Sequence, residues 1–311
     1  MDFTNKKILV IGDIILDTYI EGTVSRISPE APIPILDKKR GYHRLGGATN
    51  VARNLSSLGA KVWIIGRIGN DKAGRIVKNL LDEANINVDL LLCDSNLPTT
   101  LKTRYLANNQ QLLRVDLEDT TPVTYNPEFK ECLMEDLERH FKYFDAIIVS
   151  DYNKGMITPT LLFEITELQE KYQKILTGDT KSKHWNLFQG FTCLTPNLKE
   201  YKDAQGVSSL ENIKNNSRAV RGRFRLKQLL ITLSEKGLLL VTENNTKHIP
   251  VKSQQFVDVT GAGDTVIAVY TLALTYGYGP EEAAELANIA ASKVINKIGT
   301  ATLKPEELTW E

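Results

Sequence analysis

The feature that most constrains this chain is a repeat of short apolar runs, each leading into a loop with a polar Asp, Asn or Glu, and in the second half of the chain alternating with helical periodicity. Ile8-Leu-Val-Ile11 stops at Gly12-Asp13, and Ala146-Ile-Ile-Val149 stops at Ser150-Asp151. Lys174-Ile-Leu-Thr177 leads to Gly178-Asp179, Cys193-Leu-Thr195 to Pro196-Asn197, and Gln228-Leu-Leu-Ile-Thr232 to Glu235-Lys236-Gly237. Runs that are apolar throughout, rather than alternating, suit strands buried on both faces. Helices between them imply an α/β fold with a mostly parallel central sheet covered on both sides. Ligands bind such sheets outside the carboxyl ends of the strands. Asp13, Asp151, Asp179, Asn197 and Glu235 all fall there, although polar residues are common in any strand-to-helix loop.

Two stretches break the alternation. From about Tyr19 to Tyr42 no helix is legible, and Pro29, Pro32 and Pro34 punctuate short β-like runs, which suits an edge or projecting sheet. A second irregular β-like stretch spans roughly Pro98 to Asp116. Together, as segments at about 17–42 and 98–116, they suit a small β-sheet lid on one domain spanning 1–311. Gly46-Gly47 opens a helix with Val51, Leu55 and Leu58 on one face and Gly59 as its stop. Residues from Ala262 to Asn296 read as two helices joined around Tyr276-Gly-Tyr-Gly-Pro280.

Composition removes several function classes. The 311 residues carry 38 Lys plus Arg against 38 Asp plus Glu, so no overall field draws nucleic acid or anionic lipid. The three cysteines, Cys93, Cys132 and Cys193, are isolated, with no metal-ligand spacing, which fits a reducing cytoplasm. His43, His140, His184 and His248 are scattered and read as surface or packing residues. No apolar run reaches membrane-spanning length and the N-terminus lacks a secretion signal, so no membrane partner is expected.

The strongest chemical signal is Asp258-Val-Thr-Gly-Ala-Gly-Asp264, immediately before the helical run Thr265–Leu274. Gly261 and Gly263 let backbone N–H groups converge at a helix start, where free donors and the dipole favour a phosphoryl group. Asp264 at that start suits a base in phosphoryl transfer. On spacing alone, an N-cap aspartate after a tight glycine turn fits equally well. The chain has no G-x-x-x-x-G-K-[ST] loop, and no G-x-G-x-x-G follows the first strand, which disfavours a dinucleotide-dependent dehydrogenase.

Assembled, these segments resemble the ribokinase-like carbohydrate kinases of the phosphofructokinase-B type. Gly46-Gly-Ala-Thr-Asn-Val-Ala-Arg-Asn-Leu-Ser-Ser-Leu-Gly59, Gly66-Arg-Ile-Gly-Asn-Asp-Lys-Ala-Gly74 and Asp258–Asp264 match that family's motifs in order across nearly the whole chain. The resemblance narrows to the D-glycero-β-D-manno-heptose 7-phosphate kinases. Gly12-Asp13 with Leu16-Asp17, Ser25-Arg-Ile-Ser-Pro-Glu-Ala-Pro32, Asn109-Gln-Gln-Leu-Leu-Arg-Val-Asp116, Ser150-Asp-Tyr-Asn-Lys-Gly155, Leu194-Thr-Pro-Asn197 and Thr232-Leu-Ser-Glu-Lys-Gly237 carry it.

The resemblance implies a three-layer α/β/α sandwich with a β lid, ATP and Mg²⁺ as cofactors, a sugar phosphate as acceptor, and a homodimer. It makes Asp264 the base and Gly261, Ala262 and Gly263 the anion hole. It puts Asn197 and Glu200 near Mg²⁺ and its waters, Thr232, Ser234 and Gly237 along the nucleotide, and Asn288 and Ala291 near the adenine. Asp13, Asp17, Gly46, Gly47 and Asn50 would hold sugar hydroxyls, with Lys102, Arg104, Arg114 and Lys154 as candidates for the sugar's phosphate. It implies transfer to O1 of the heptose phosphate within ADP-heptose and lipopolysaccharide precursor synthesis.

Each assignment has a plainer counterpart. Gly46-Gly47 suits close packing, Asp13 and Asp17 suit turn caps, and Asn197 with Glu200 fits a capping box. Arg104 and Arg114 fit a solvated lid surface. Gly178-Asp-Thr-Lys-Ser-Lys-His-Trp185 also departs from the expected Asp-Pro-Lys-Gly pattern, with Thr180 and Ser182 replacing Pro and Gly, which leaves a role for Lys181 open. The four histidines make no H-x-G-H motif, so no nucleotidyltransferase domain is expected. The competing readings are another sugar kinase of this superfamily and a non-catalytic sugar-nucleotide binding protein.

Overall fold

The computed structural model describes residues 1–108, 110–181, 184–207, 209–251, 260–297 and 301–310. Strand β1 (Lys7–Gly12) is separated only by Asp13 from β2 (Ile14–Ile27), which turns back as β3 (Pro34–Gly47) into α1 (Ala48–Ser57). Then come β4 (Lys61–Gly69), α2 (Lys72–Glu83), β5 (Ile86–Asn87) and β6 (Leu91–Asp94), and a second excursion through β7 (Thr100–Ala107) and β8 (Gln110–Leu117). The chain continues with α3 (Pro127–His140), β9 (Ala146–Asp151), α4 (Pro159–Tyr172), β10 (Ile175–Thr180), β11 (Cys193–Leu194) and α5 (Leu198–Gln205). It closes through α6 (Leu210–Arg223), β12 (Gln228–Thr232), β13 (Leu238–Val241), β14 (Thr246–Ile249), α7 (Ala262–Tyr276) and α8 (Pro280–Val294).

The main sheet has the order β14-β13-β12-β11-β10-β9-β1-β4-β5, with β6 beside β4. Pairing is parallel from β5 to β12 and antiparallel at β12–β13–β14. In β1, Ile8 and Val10 enter one core with residues of α1, α7 and α8, while Leu9 and Ile11 enter a second with residues of α4, α5 and α6. Alternate side chains of one strand therefore feed two apolar layers, which makes the expected α/β/α sandwich.

The lid is a separate four-stranded sheet, β3-β2-β7-β8. It differs from the short pieces expected from sequence: β2 and β3 are each 14 residues long. Pro29 and Pro32 fall in the turn between them, and Pro34 is the first residue of β3, so no proline removes an interior ladder donor. The β13–β14 hairpin is a second element that sequence reading did not separate. Among the described residues no helix is long and apolar enough to cross a membrane.

Candidate active site

The carboxyl ends of β1, β9, β10, β11 and β12 converge with the N-terminus of α7 on one side of the sheet. Gly261 is the N-cap of α7 with φ 81°, a left-handed conformation that glycine adopts without strain. The N–H groups that open the helix have no acceptor within it. A Cβ added to Gly263 would meet nothing within 4 Å, so the helix start faces open space. The opening residues of the motif, Asp258 and Val259, lie outside the described residues, as do Asn109 and Ser182.

Asp264, in the first turn of α7, is 6% exposed. Asn50 Nδ2 donates to its Oδ2 at 2.6 Å, and the Tyr152 hydroxyl donates to its Oδ1 at 2.8 Å. Burial pushes the Asp264 carboxyl above the ordinary aspartate range, restrained by those two donors. Burial, then the neighbouring Asp264, holds the Tyr152 phenol well above its usual value, so it serves as a donor at neutral pH. Asn50 Oδ1 is buried and has no partner among the described residues.

A cleft of about 750 Å³ opens from Asp264. It is lined by Asn197, Thr232, Ser234 and Gly237, by Gly261, Ala262 and Gly263 at the start of α7, and by Asn288 and Ala291 of α8. Ten of the residues picked from sequence as catalytic or nucleotide-binding thus meet around a single cavity. Glu200 is the exception, since it does not line the cleft. Its Oε2 accepts from Asn197 N at 2.7 Å while Asn197 Oδ1 accepts from Glu200 N at 2.9 Å, the full capping box of α5. Its Oε1 takes Lys181 Nζ at 2.5 Å.

On the sugar side, Asp13 is buried and accepts from three backbone N–H groups, Tyr152 at 2.8 Å, Lys154 at 3.0 Å and Met156 at 2.9 Å. Burial pushes it up to about 6, with those three bonds pulling the other way. Asp13 thereby pins the loop after β9 that carries Tyr152, and it lines a small pocket with Lys154 and Met156. Asp17, two turns of the pleat along β2, pairs with Arg104 Nη1 at 2.5 Å. Gly46 lies diagonally across on β3, opposite Ile15, and a Cβ there would run into Asp17 Oδ2. Gly47 has φ 58° and ψ −141°, and a Cβ there would strike the Asp13 carbonyl oxygen.

The four cations chosen for the sugar phosphate do not form an open cationic pocket. Lys102 pairs with Asp116 and Glu118, Arg114 with Asp116, Lys154 with Glu118, and Arg104 with Asp17. Sequence reading assigned no role to Tyr152, although its place one residue past β9 marked it, and left Lys181 open. Both line the cleft.

An α/β/α body with a separate four-stranded sheet, and a cleft that opens from a buried aspartate at a helix start, matches a ribokinase-like scaffold. Solved structures agree on the fold. Ribokinase of Arabidopsis thaliana, complexed with ribose and ATP, is 20% identical, with a TM-score of 0.77 over 99% of this chain and 98% of that one. Phosphofructokinase-2 of Escherichia coli, in complex with substrates and products, is 18% identical, with a TM-score of 0.79 and 97% of each chain covered. The pfkB family carbohydrate kinase model matches residues 5–307, and the chain belongs to that family. Among curated relatives, the bifunctional protein HldE of Helicobacter hepaticus is 37% identical over 99% of this chain. That of Geobacter sulfurreducens is 39% identical over 96% of it. The chain spans 64% and 61% of the length of these two relatives.

Proposed function

We propose that the chain transfers the γ-phosphoryl group of ATP to O1 of D-glycero-β-D-manno-heptose 7-phosphate, giving the 1,7-bisphosphate and ADP for ADP-heptose and lipopolysaccharide precursor synthesis. The observation that carries the reading is Asp264, buried at the edge of the cleft and held by Asn50 and Tyr152. In the transfer, O1 forms a bond to the γ-phosphorus as the bond to the bridging oxygen breaks. The O1 proton passes to Asp264, and the N–H groups of Gly261, Ala262 and Gly263 offer donors to the charge that develops on the phosphoryl oxygens.

The choice of a heptose phosphate rests on the lid and sugar-side motifs and on the relatives named HldE. Mg²⁺ would sit beside Asn197, which lines the cleft, with Glu200 reaching it only through water, and that ion would offset nucleotide phosphate charge. The pfkB match over residues 5–307 supports kinase activity in this chain. No Cys/His/Asp/Glu cluster among the described residues would hold a metal by itself. The three cysteines are free thiols, which fits a cytoplasmic setting.

The test is direct. Purified protein is offered heptose 7-phosphate, fructose 6-phosphate, ribose and adenosine with Mg·ATP, and phosphorylated product is followed by mass spectrometry. Turnover of the heptose phosphate far above the others is expected. Product from only one of the other three would overturn the substrate assignment.

A further inference from the structure

Lys181 stands at the end of β10, where the sequence departs from the expected Asp-Pro-Lys-Gly pattern. The departure is compensated locally. Thr180, in place of proline, donates its hydroxyl to Asp151 Oδ2 at 2.7 Å, and Lys181 N donates to the Asp151 carbonyl at 2.9 Å. The backbone is thereby fixed at the point where the side chain enters the cleft.

The ammonium lies 2.5 Å from Glu200 Oε1, 3.6 Å from Asp179 Oδ2 and 5.2 Å from the centre of the Tyr152 ring. That tyrosine's hydroxyl is the one bound to Asp264, so the charge sits one aromatic ring from the base. Lys199 and Lys202 also line the cleft, but among the described residues Lys181 alone of the three lies over Tyr152. An ammonium has three donors. One is hydrogen-bonded to Glu200, with Asp179 within ion-pair distance, and the side chain is 36% exposed at a cleft that also contains Gly261–Gly263. The α7 amides approach a phosphoryl group from one side only, and charge in such a transfer spreads over three equatorial oxygens. The chain has no P-loop lysine to meet the others.

We propose that Lys181 binds the γ-phosphate of the nucleotide, opposite the amides of α7, and acts as a cationic donor to the phosphoryl group during transfer. Asp179 and Glu200 hold the ammonium at that wall of the cleft until the nucleotide arrives. The alternative is a purely structural cation that keeps the two carboxylates from repelling each other. The proposal rests on the phosphotransferase reading of the cleft.

The experiment compares wild type with Lys181→Met and Lys181→Arg. Calorimetric titration gives affinities for ADP and for the β,γ-imido analogue of ATP, and steady-state assays give kcat. In Lys181→Met the analogue is expected to bind about 10- to 100-fold more weakly, the effect of one charge-assisted hydrogen bond. ADP binding should change far less, and Lys181→Arg should restore part of the γ-phosphate preference. Equal losses for both nucleotides, or none for either, would overturn the role. If Lys181→Met loses its cooperative thermal transition, Lys181→Gln, whose amide can still bond Glu200, carries the same comparison. A wild type that binds neither nucleotide would instead overturn the kinase reading itself.

Discussion

As the proposed base, Asp264 must be ionised to accept a proton, yet its surroundings favour the neutral form. Burial raises its pKa, and the Asn50 and Tyr152 donors, then the Lys181 charge, restrain the rise. The acid limb of kcat/KM is therefore expected above that of an ordinary aspartate, with activity falling as pH drops through it. Tyr152→Phe removes a donor that favours the carboxylate, so the limb should move to higher pH. A pH–rate profile of the variant checks this, and an unmoved limb would assign it to another group. Asp264→Asn should lower kcat by about 10²- to 10⁴-fold, the usual worth of a positioned base, while ADP titration shows nearly unchanged affinity. The Asp264 side chain was legible in sequence because the glycines announcing it are its neighbours. Its partners were not, since Tyr152 lies 112 residues away and Asn50 lies 214 away. Lys181 and Glu200 likewise meet only when β10 and α5 pack.

At the scale of elements, the turn from β3 into α1 carries the tightest constraint. Gly47 combines φ 58° with ψ −141°, and the Asp13 carbonyl that its missing Cβ would strike accepts the Ala48 N–H at 2.9 Å. Gly47→Ala should cost about 3 kcal/mol in denaturant unfolding, from backbone strain and a displaced carbonyl. Gly222 in α6 makes a matched control. A Cβ there meets nothing within 4 Å, so Gly222→Ala should be neutral or gain about 0.5 kcal/mol. The central strands and α1 were readable because complete burial leaves unbroken apolar runs and helices keep their period. The lid was not readable at the same grain. Every residue of β8 is exposed, and β3 is polar along most of its length, so neither shows the alternation that reveals a strand. What orders them is pairing with β7 and β2, which is information spread over tens of residues.

For the molecule as a whole, β8 is the unpaired edge of the lid. Leu113, Val115 and Leu117 recur along it at every second residue, 48–57% exposed. An edge strand with such a row is open to pairing with a second copy. A homodimer, which the resemblance to the heptose kinases implies, is expected to use it, and Leu113→Glu with Val115→Glu should shift the sedimentation coefficient from dimer to monomer. An unchanged dimer in that variant would move the interface elsewhere.

Asp13 alone separates β1, a strand of the main sheet, from β2, which is entirely lid, and Gly47 alone joins β3 back to α1. The lid is thus a graft made of two excursions, β2–β3 and β7–β8, that leaves and rejoins the body at four points, while the cleft and α7 belong to the body. Such an arrangement lets inheritance edit the two separately: drift in the graft can change which sugar is accepted while the phosphoryl machinery beneath it stays fixed. Exchanging residues 14–46 and 100–117 between relatives is the recombination that this architecture would tolerate best.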